Sequence, residues 1–123
     1  MRETVPVLER LRARGVWFAI DDFGTGYSSL NQLCKLPVDV LKVDRAFVEA
    51  AGTGAQAEAI VKLIVALAQA IGVHVVAEGV ETSEQAMLLA SLGCRFAQGY
   101  YFAAPLPAEQ VSAWLAERLT AAA

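Results

Sequence analysis

Four short and largely apolar runs, separated by segments of helix length, limit what this chain can fold into. They occupy residues 16–20, 38–43, 73–77 and 95–99. Strands apolar on both faces belong in a sheet covered by helices, and strands separated by helices pair in parallel through right-handed crossovers. The intervening segments supply those helices. Residues 5–14 have an amphipathic pattern that Gly15 stops. A short helix from about Ser29 must end before Pro37. Thr53-Gly54-Ala55-Gln56 and Thr82-Ser83-Glu84-Gln85 both have capping-box spacing, and the first is expected to open a helix reaching about Ala70. Pro107 suits the first position of a last helix ending near Thr120. The expected architecture is α/β, with four βα units after one leading helix.

Composition excludes several classes. Of the 123 residues, 56% are apolar and 19% charged, which demands a packed core rather than disorder. Ten basic against thirteen acidic side chains give a net charge of −3, so no field attracts a nucleic-acid polymer. Cys34 and Cys94 lack metal-ligand spacing; two thiols suit a reducing compartment, where they serve as apolar filler. The N-terminus has no signal-peptide pattern, and a cytoplasmic location is expected. The most membrane-like window, 60–77, is interrupted by Lys62, Gln69, Gly72 and His74, and fits a buried helix followed by a buried strand.

The residues that close each strand carry more information. Side chains two apart share a face, so Asp21 stands above Trp17 and Ala19, and Lys42 above Val38 and Val40. Glu78 stands above His74 and Val76, and Gln98 above Phe96. A single strand-end acid is commonly a helix cap, and a single lysine commonly snorkels to water. Four polar groups on one rim, at the strand ends where parallel α/β folds build their sites, point to function. Carboxylates beside a lysine suit hard divalent cations acting on a phosphate or a water. Asp21 and Asp22 face opposite ways in a regular strand. Both serve one site only if the chain bends at Asp22, which Phe23-Gly24-Thr25-Gly26 permits. His74 is expected to fill core rather than hold a metal.

Asp21-Asp22-Phe23-Gly24-Thr25-Gly26-Tyr27-Ser28-Ser29-Leu30, Leu41-Lys42-Val43-Asp44 with Phe47-Val48, Ala77-Glu78-Gly79-Val80-Glu81-Thr82, and Gln98-Gly99-Tyr100-Tyr101-Phe102 with Pro105 resemble the EAL domain. That family hydrolyses the bacterial second messenger cyclic di-GMP. The resemblance implies a TIM-type (β/α)8 barrel with a site of two Mg2+ or Mn2+ ions. It makes Asp21, Asp22 and Glu78 metal ligands, and it makes Lys42, with Glu78, catalytic, Lys42 orienting and activating the attacking water. Gln98 would hold a water of the metal shell or the substrate, and Glu81, Phe102 and Pro105 would be substrate-side or loop-bracing. Phe23, Gly24, Thr25, Gly26, Tyr27, Ser28 and Ser29 would form a loop coupling the metals to dimerisation, so a homodimer is expected.

A complete barrel takes about 250 residues. The Glu-Ala-Leu signature and the Asn and second Glu ligands of earlier strands are absent from these 123 residues. Residues 1–123 are therefore expected to match strands five to eight, the C-terminal half of the domain. One apolar sheet face, including Trp17, Val40, Val76 and Phe96, would then lack its opposite wall. Such a chain should bind its missing N-terminal half or self-associate. Membrane anchoring would come only through segments outside it. The alternative reading is a non-catalytic EAL-like module that binds cyclic di-GMP or dimerises.

Overall fold

The computed structural model describes residues 4–25 and 30–122. The elements run α1 (Thr4–Arg12), β1 (Ala19–Phe23), α2 (Leu30–Lys35), β2 (Val40–Val43), α3 (Arg45–Ala51) and α4 (Ala55–Ile71). Then come β3 (His74–Ala77), α5 (Ser83–Ser91), β4 (Phe96–Ala97) and α6 (Ala108–Ala122). The strands form one sheet in the order β1-β2-β3-β4, every neighbouring pair parallel. Four βα units after a leading helix are thus present as expected.

Local chemistry explains the boundaries. Gly72 ends α4 at φ 75°, the left-handed cap that glycine adopts without strain. Thr82 opens α5 with a full capping box: its hydroxyl accepts from Gln85 N, while the Gln85 amide oxygen accepts from Thr82 N. The other expected box does not form. The Thr53 hydroxyl donates back to Ala50 O (3.0 Å), and Gly54 caps α4 with no side-chain bond. Thr53 instead closes α3, a helix the apolar pattern did not show because it is only seven residues long. Asp44 opens α3, accepting from Ala46 N at 2.8 Å.

β1 starts at Ala19 rather than at residue 16. The turn at Pro37, where Val38 N donates to Leu36 O, leaves residues 16 and 17 without a ladder partner. β4 shortens to two residues, although Gln98 N still donates to Ala77 O at 2.8 Å.

The core lies on one side of the sheet. Leu41, Val43 and Ala77 face the helices and are fully buried, packed against Val48, Val61 and Ala68. The other side is open. Trp17 is 65% exposed and Phe96 48%, with Val40 and Val76 half-buried between them. His74 is exposed there as well, stacked on Trp17 at 5.5 Å and met edge-on by Phe96 at 5.4 Å. The open face expected for Trp17, Val40, Val76 and Phe96 is thus present, no element among the described residues packing over it, whereas the expectation of His74 as core filling is corrected. The chain exposes 8379 Å2, whereas a closed monomer of this mass exposes about 6,400 Å2 by the usual scaling. Cys94 is buried filler, its thiol 3.3 Å from Phe96 O, but Cys34 is exposed and fills nothing. No helix among the described residues is long and apolar enough to cross a membrane.

Leu41→Ala removes a fully buried side chain from the central sheet and should destabilise the chain by about 2–5 kcal/mol in urea unfolding. Trp17→Ala, on the open face, should cost less than about 1 kcal/mol. Comparable losses for the two would show that the open face is covered.

Candidate metal centre

The register between β1 and β2 sets the site. Ala19 pairs with Val40 and Ile20 with Leu41, but the next pair is Phe23 with Val43, so β1 carries one extra residue. That residue is accommodated at Asp22, whose φ of 53° lies in the left-handed region, one that aspartate tolerates better than most residues. The bulge has two effects. Phe23 returns to the helix side, where it is 6% exposed, and Asp22 is freed to join Asp21 at the rim. Asp22 N donates to the Asp21 carboxylate (2.8 Å), and the Thr25 amide and hydroxyl both donate to Asp22 O (3.1 and 2.7 Å). The bend anticipated from sequence is present.

Lys42 projects from β2 between these acids and β3. Its Nζ lies 2.5 Å from Glu78 Oε1 and 3.8 Å from Asp21 Oδ2. Glu78 follows β3 and is tied to β2 by its own amide, which donates to Val43 O at 3.0 Å. Asp21, Asp22 and Glu78 each offer an oxygen, and these oxygens all lie within 4.8 Å of one another. Such a hard, anionic donor set fits Mg2+ or Mn2+ and fits soft metals poorly.

The charges explain why a lysine belongs here. The neighbouring Asp21 carboxylate, more than any other group, pushes the Asp22 carboxyl above its ordinary range; slight desolvation and Asp44 add to this, and Lys42 opposes it. The hydrogen bond to Glu78 raises Lys42, and partial burial works the other way. Lys42 therefore stands as an ammonium ion that offsets repulsion among the acids.

The remaining expected residues are placed unevenly. Gln98 is exposed just past β4; its amide and carbonyl join Ala77 and Val80, and no contact among the described residues links its side chain to the acids. Glu81 pairs with Arg45 at 2.8 Å, a bracing contact outside the acid cluster. Phe102 meets Tyr101 edge-on at 5.1 Å and Pro105 is exposed, both on the chain that follows β4. Phe23, Gly24 and Thr25 form the turn after the bulge, whereas Gly26, Tyr27, Ser28 and Ser29 lie outside the described residues. His74 sits at the opposite end of β3 from Glu78.

Two residues near the site were given no role from sequence, although Asp44 lies in the Leu41–Asp44 motif. Asp44 caps α3 and also touches the Asp22 carboxyl. Arg45 bonds Glu49 and Glu81. The i,i+4 spacing of Arg45 and Glu49 behind an Asp cap was the available signal.

Comparison with known proteins finds one family and one fold. The EAL domain family model matches residues 1–105, which excludes α6. Cyclic di-GMP phosphodiesterase RocR of Pseudomonas aeruginosa is 51% identical over 100 residues, which is 81% of this chain and 26% of RocR. The EAL domain of Mycobacterium smegmatis DcpA superposes with a TM-score of 0.87 at 46% identity, over 93% of this chain and 51% of that one. Klebsiella pneumoniae BlrP1, solved as a manganese and cyclic di-GMP complex, superposes with a TM-score of 0.75 at 43% identity, over 81% of this chain and 26% of BlrP1. The chain thus spans about a quarter of RocR and about half of the DcpA domain.

Because the Asp22 carboxyl titrates above its ordinary range, the folded chain holds that proton more tightly than the unfolded chain does. Ionised Asp22 therefore disfavours the cation-free fold at neutral pH. This penalty fades as pH falls through the interval between the ordinary and the raised value. Asp22→Asn, which keeps a residue tolerant of positive φ, should stabilise the cation-free chain at pH 7 while weakening Mn2+ binding. Thermal unfolding without metal and calorimetric Mn2+ titration read the two effects, and a loss of cation-free stability would contradict the repulsion described.

Proposed function

The chain belongs to the EAL domain family, and from that membership we propose that residues 1–123 form the C-terminal half of a metal-dependent phosphodiesterase domain that opens cyclic di-GMP to the linear dinucleotide. The supporting observation is the convergence of Asp21, Asp22 and Glu78 beside Lys42 at the C-terminal ends of parallel strands. That is the end where (β/α)8 enzymes carry their chemistry. The open sheet face is where the other half of the barrel packs.

The overall reaction adds one water across one phosphodiester. The water oxygen joins the phosphorus, the bond from phosphorus to one ribose oxygen breaks, and that oxygen takes up a proton. Bound Mg2+ or Mn2+ supplies Lewis-acid stabilisation of charge on the attacking and leaving oxygens. Asp21, Asp22 and Glu78 are the groups of this chain that would hold the cations. Lys42 orients the attacking water, and it can take that water's proton only as the neutral amine, after its own proton has passed to solvent. Gln98, Phe102 and Pro105 line the approach of the dinucleotide, and the loop over residues 22–29 couples cation occupancy to pairing of two domains. All four of Asp21, Asp22, Lys42 and Glu78 are present, which favours catalysis over a binding-only module.

The test is a completed barrel, in which this chain is joined to the preceding half of the DcpA EAL domain and assayed with cyclic di-GMP and Mn2+. Lys42→Ala should lower kcat by about 10²–10⁴-fold, the usual scale for a lost acid–base group, with the dissociation constant nearly unchanged. Affinity falling in step with rate would make Lys42 a phosphate anchor instead. Binding without turnover by the unmutated barrel would make the domain a sensor. The 123-residue chain alone, with three carboxylates where a hard cation wants six or more oxygens, should show negligible hydrolysis. Turnover by it at the completed barrel's rate would overturn the half-domain assignment.

A further inference from the structure

Arg45 makes contacts that neither the metal centre nor the fold accounts for. It is the first residue of α3, three positions after Lys42, and Glu81 lies three positions after Glu78. The Lys42–Glu78 ion pair is thus followed by a second, Arg45 Nη2 to Glu81 Oε1 at 2.8 Å. The other side of the guanidinium is anchored, with Nε 2.6 Å from Glu49 Oε1. The aliphatic stem of Arg45 lies over Gly79, the residue directly after Glu78. A Cβ at Gly79 would stand 2.5 Å from Arg45 Cγ, and the φ of 70° there also demands glycine. From the other side the same turn is gripped by main chain, Val80 N donating to Gln98 O (3.1 Å) and Tyr101 N to Val80 O (3.0 Å). Tyr100 also falls within electrostatic reach of the guanidinium.

Arg45 therefore joins two rim segments, the one after Lys42 and the one after Glu78. We infer that Arg45 is a positioning residue, which fixes the Gly79–Val80–Glu81 turn and thereby preorganises Glu78 to receive a divalent cation. The inference rests on the metal-centre reading above. In the cation-free chain Glu78 is drawn onto Lys42, and a cation must compete for that carboxylate. With its following turn clamped, Glu78 can exchange Lys42 for a cation by a small side-chain movement. With the turn loose, ordering it becomes an additional cost of binding. Arginine suits the task because its planar fork donates to two acids in different directions, whereas lysine offers a single point charge.

The pairs are largely exposed, so the clamp should add little to the stability of the fold itself. Arg45→Gln and, separately, Glu81→Gln should each weaken Mn2+ binding to the completed barrel by roughly two- to fivefold, the scale of one exposed ion pair. The double variant should be no weaker than Arg45→Gln alone, because that change already breaks the contact with Glu81. Thermal midpoints without Mn2+ should stay near the wild-type value, which separates positioning from general destabilisation. Arg45→Lys should fall between wild type and Arg45→Gln.

The controls are Asp21→Asn and Glu78→Gln, measured by the same calorimetric Mn2+ titration. If these abolish binding while Arg45→Gln and Glu81→Gln leave it unchanged, Arg45 is no positioning residue and the metal centre stands. If the controls leave binding unchanged, or the completed barrel takes no Mn2+ at millimolar concentration, the metal-centre reading falls and this inference with it. Should Arg45→Gln fail to fold, Glu81→Gln leaves the stem on Gly79 in place and decides the matter alone.

Discussion

One extra residue in the edge strand governs the site. Without the bulge at Asp22, alternation would turn that carboxylate toward the helices and Phe23 toward the open face. A charge would then be buried among apolar side chains, and a core aromatic would be lost. The left-handed backbone at Asp22 resolves both problems in one step, and the Thr25 bonds to Asp22 O hold it there. The two adjacent carboxylates repel one another, so the arrangement is costly to a chain without cations. Strain and like charge gathered at one point are what a cation site built on a strand end requires.

Lys42 is what makes the cluster tolerable. It sits on the strand between the acids, faces the same side of the sheet, and carries a proton that Glu78 holds in place. Its ammonium group stands where a cation would otherwise balance these carboxylates.

The helix side of the sheet is finished and the opposite side is not. The surplus of exposed surface over that of a closed monomer, about 2,000 Å2 by the size scaling, lies partly on that side, where Trp17, His74 and Phe96 form a ladder of rings facing solvent. α1 has no buried residue, and the stripe of Val111, Leu115 and Leu119 on α6 is exposed as well. These surfaces match a barrel in which the remaining strands complete the sheet. The polar rim, by contrast, is formed by local register and is already assembled in this chain.

The amino-acid sequence by itself determined the βα alternation, the parallel sheet, and the four residues Asp21, Lys42, Glu78 and Gln98 at the strand ends. Apolar runs, caps and a period of two are local signals, and no distant contact is needed to read them. The bend at Asp22 was legible for the same reason, since two acids before a glycine-containing turn can share a site in no other way. Thr53 was misread because two overlapping helix ends competed for one hydroxyl, and only the position of α3 decided which end received it. His74 was misread because its strand pattern is that of a buried position, and its exposure follows from the same missing wall that bares Trp17 and Phe96. Tertiary structure alone placed Arg45 over Gly79 and against Glu81. Such contacts join residues thirty-four and thirty-six positions apart, and they arise only when parallel pairing sets the ends of β2 and β3 side by side.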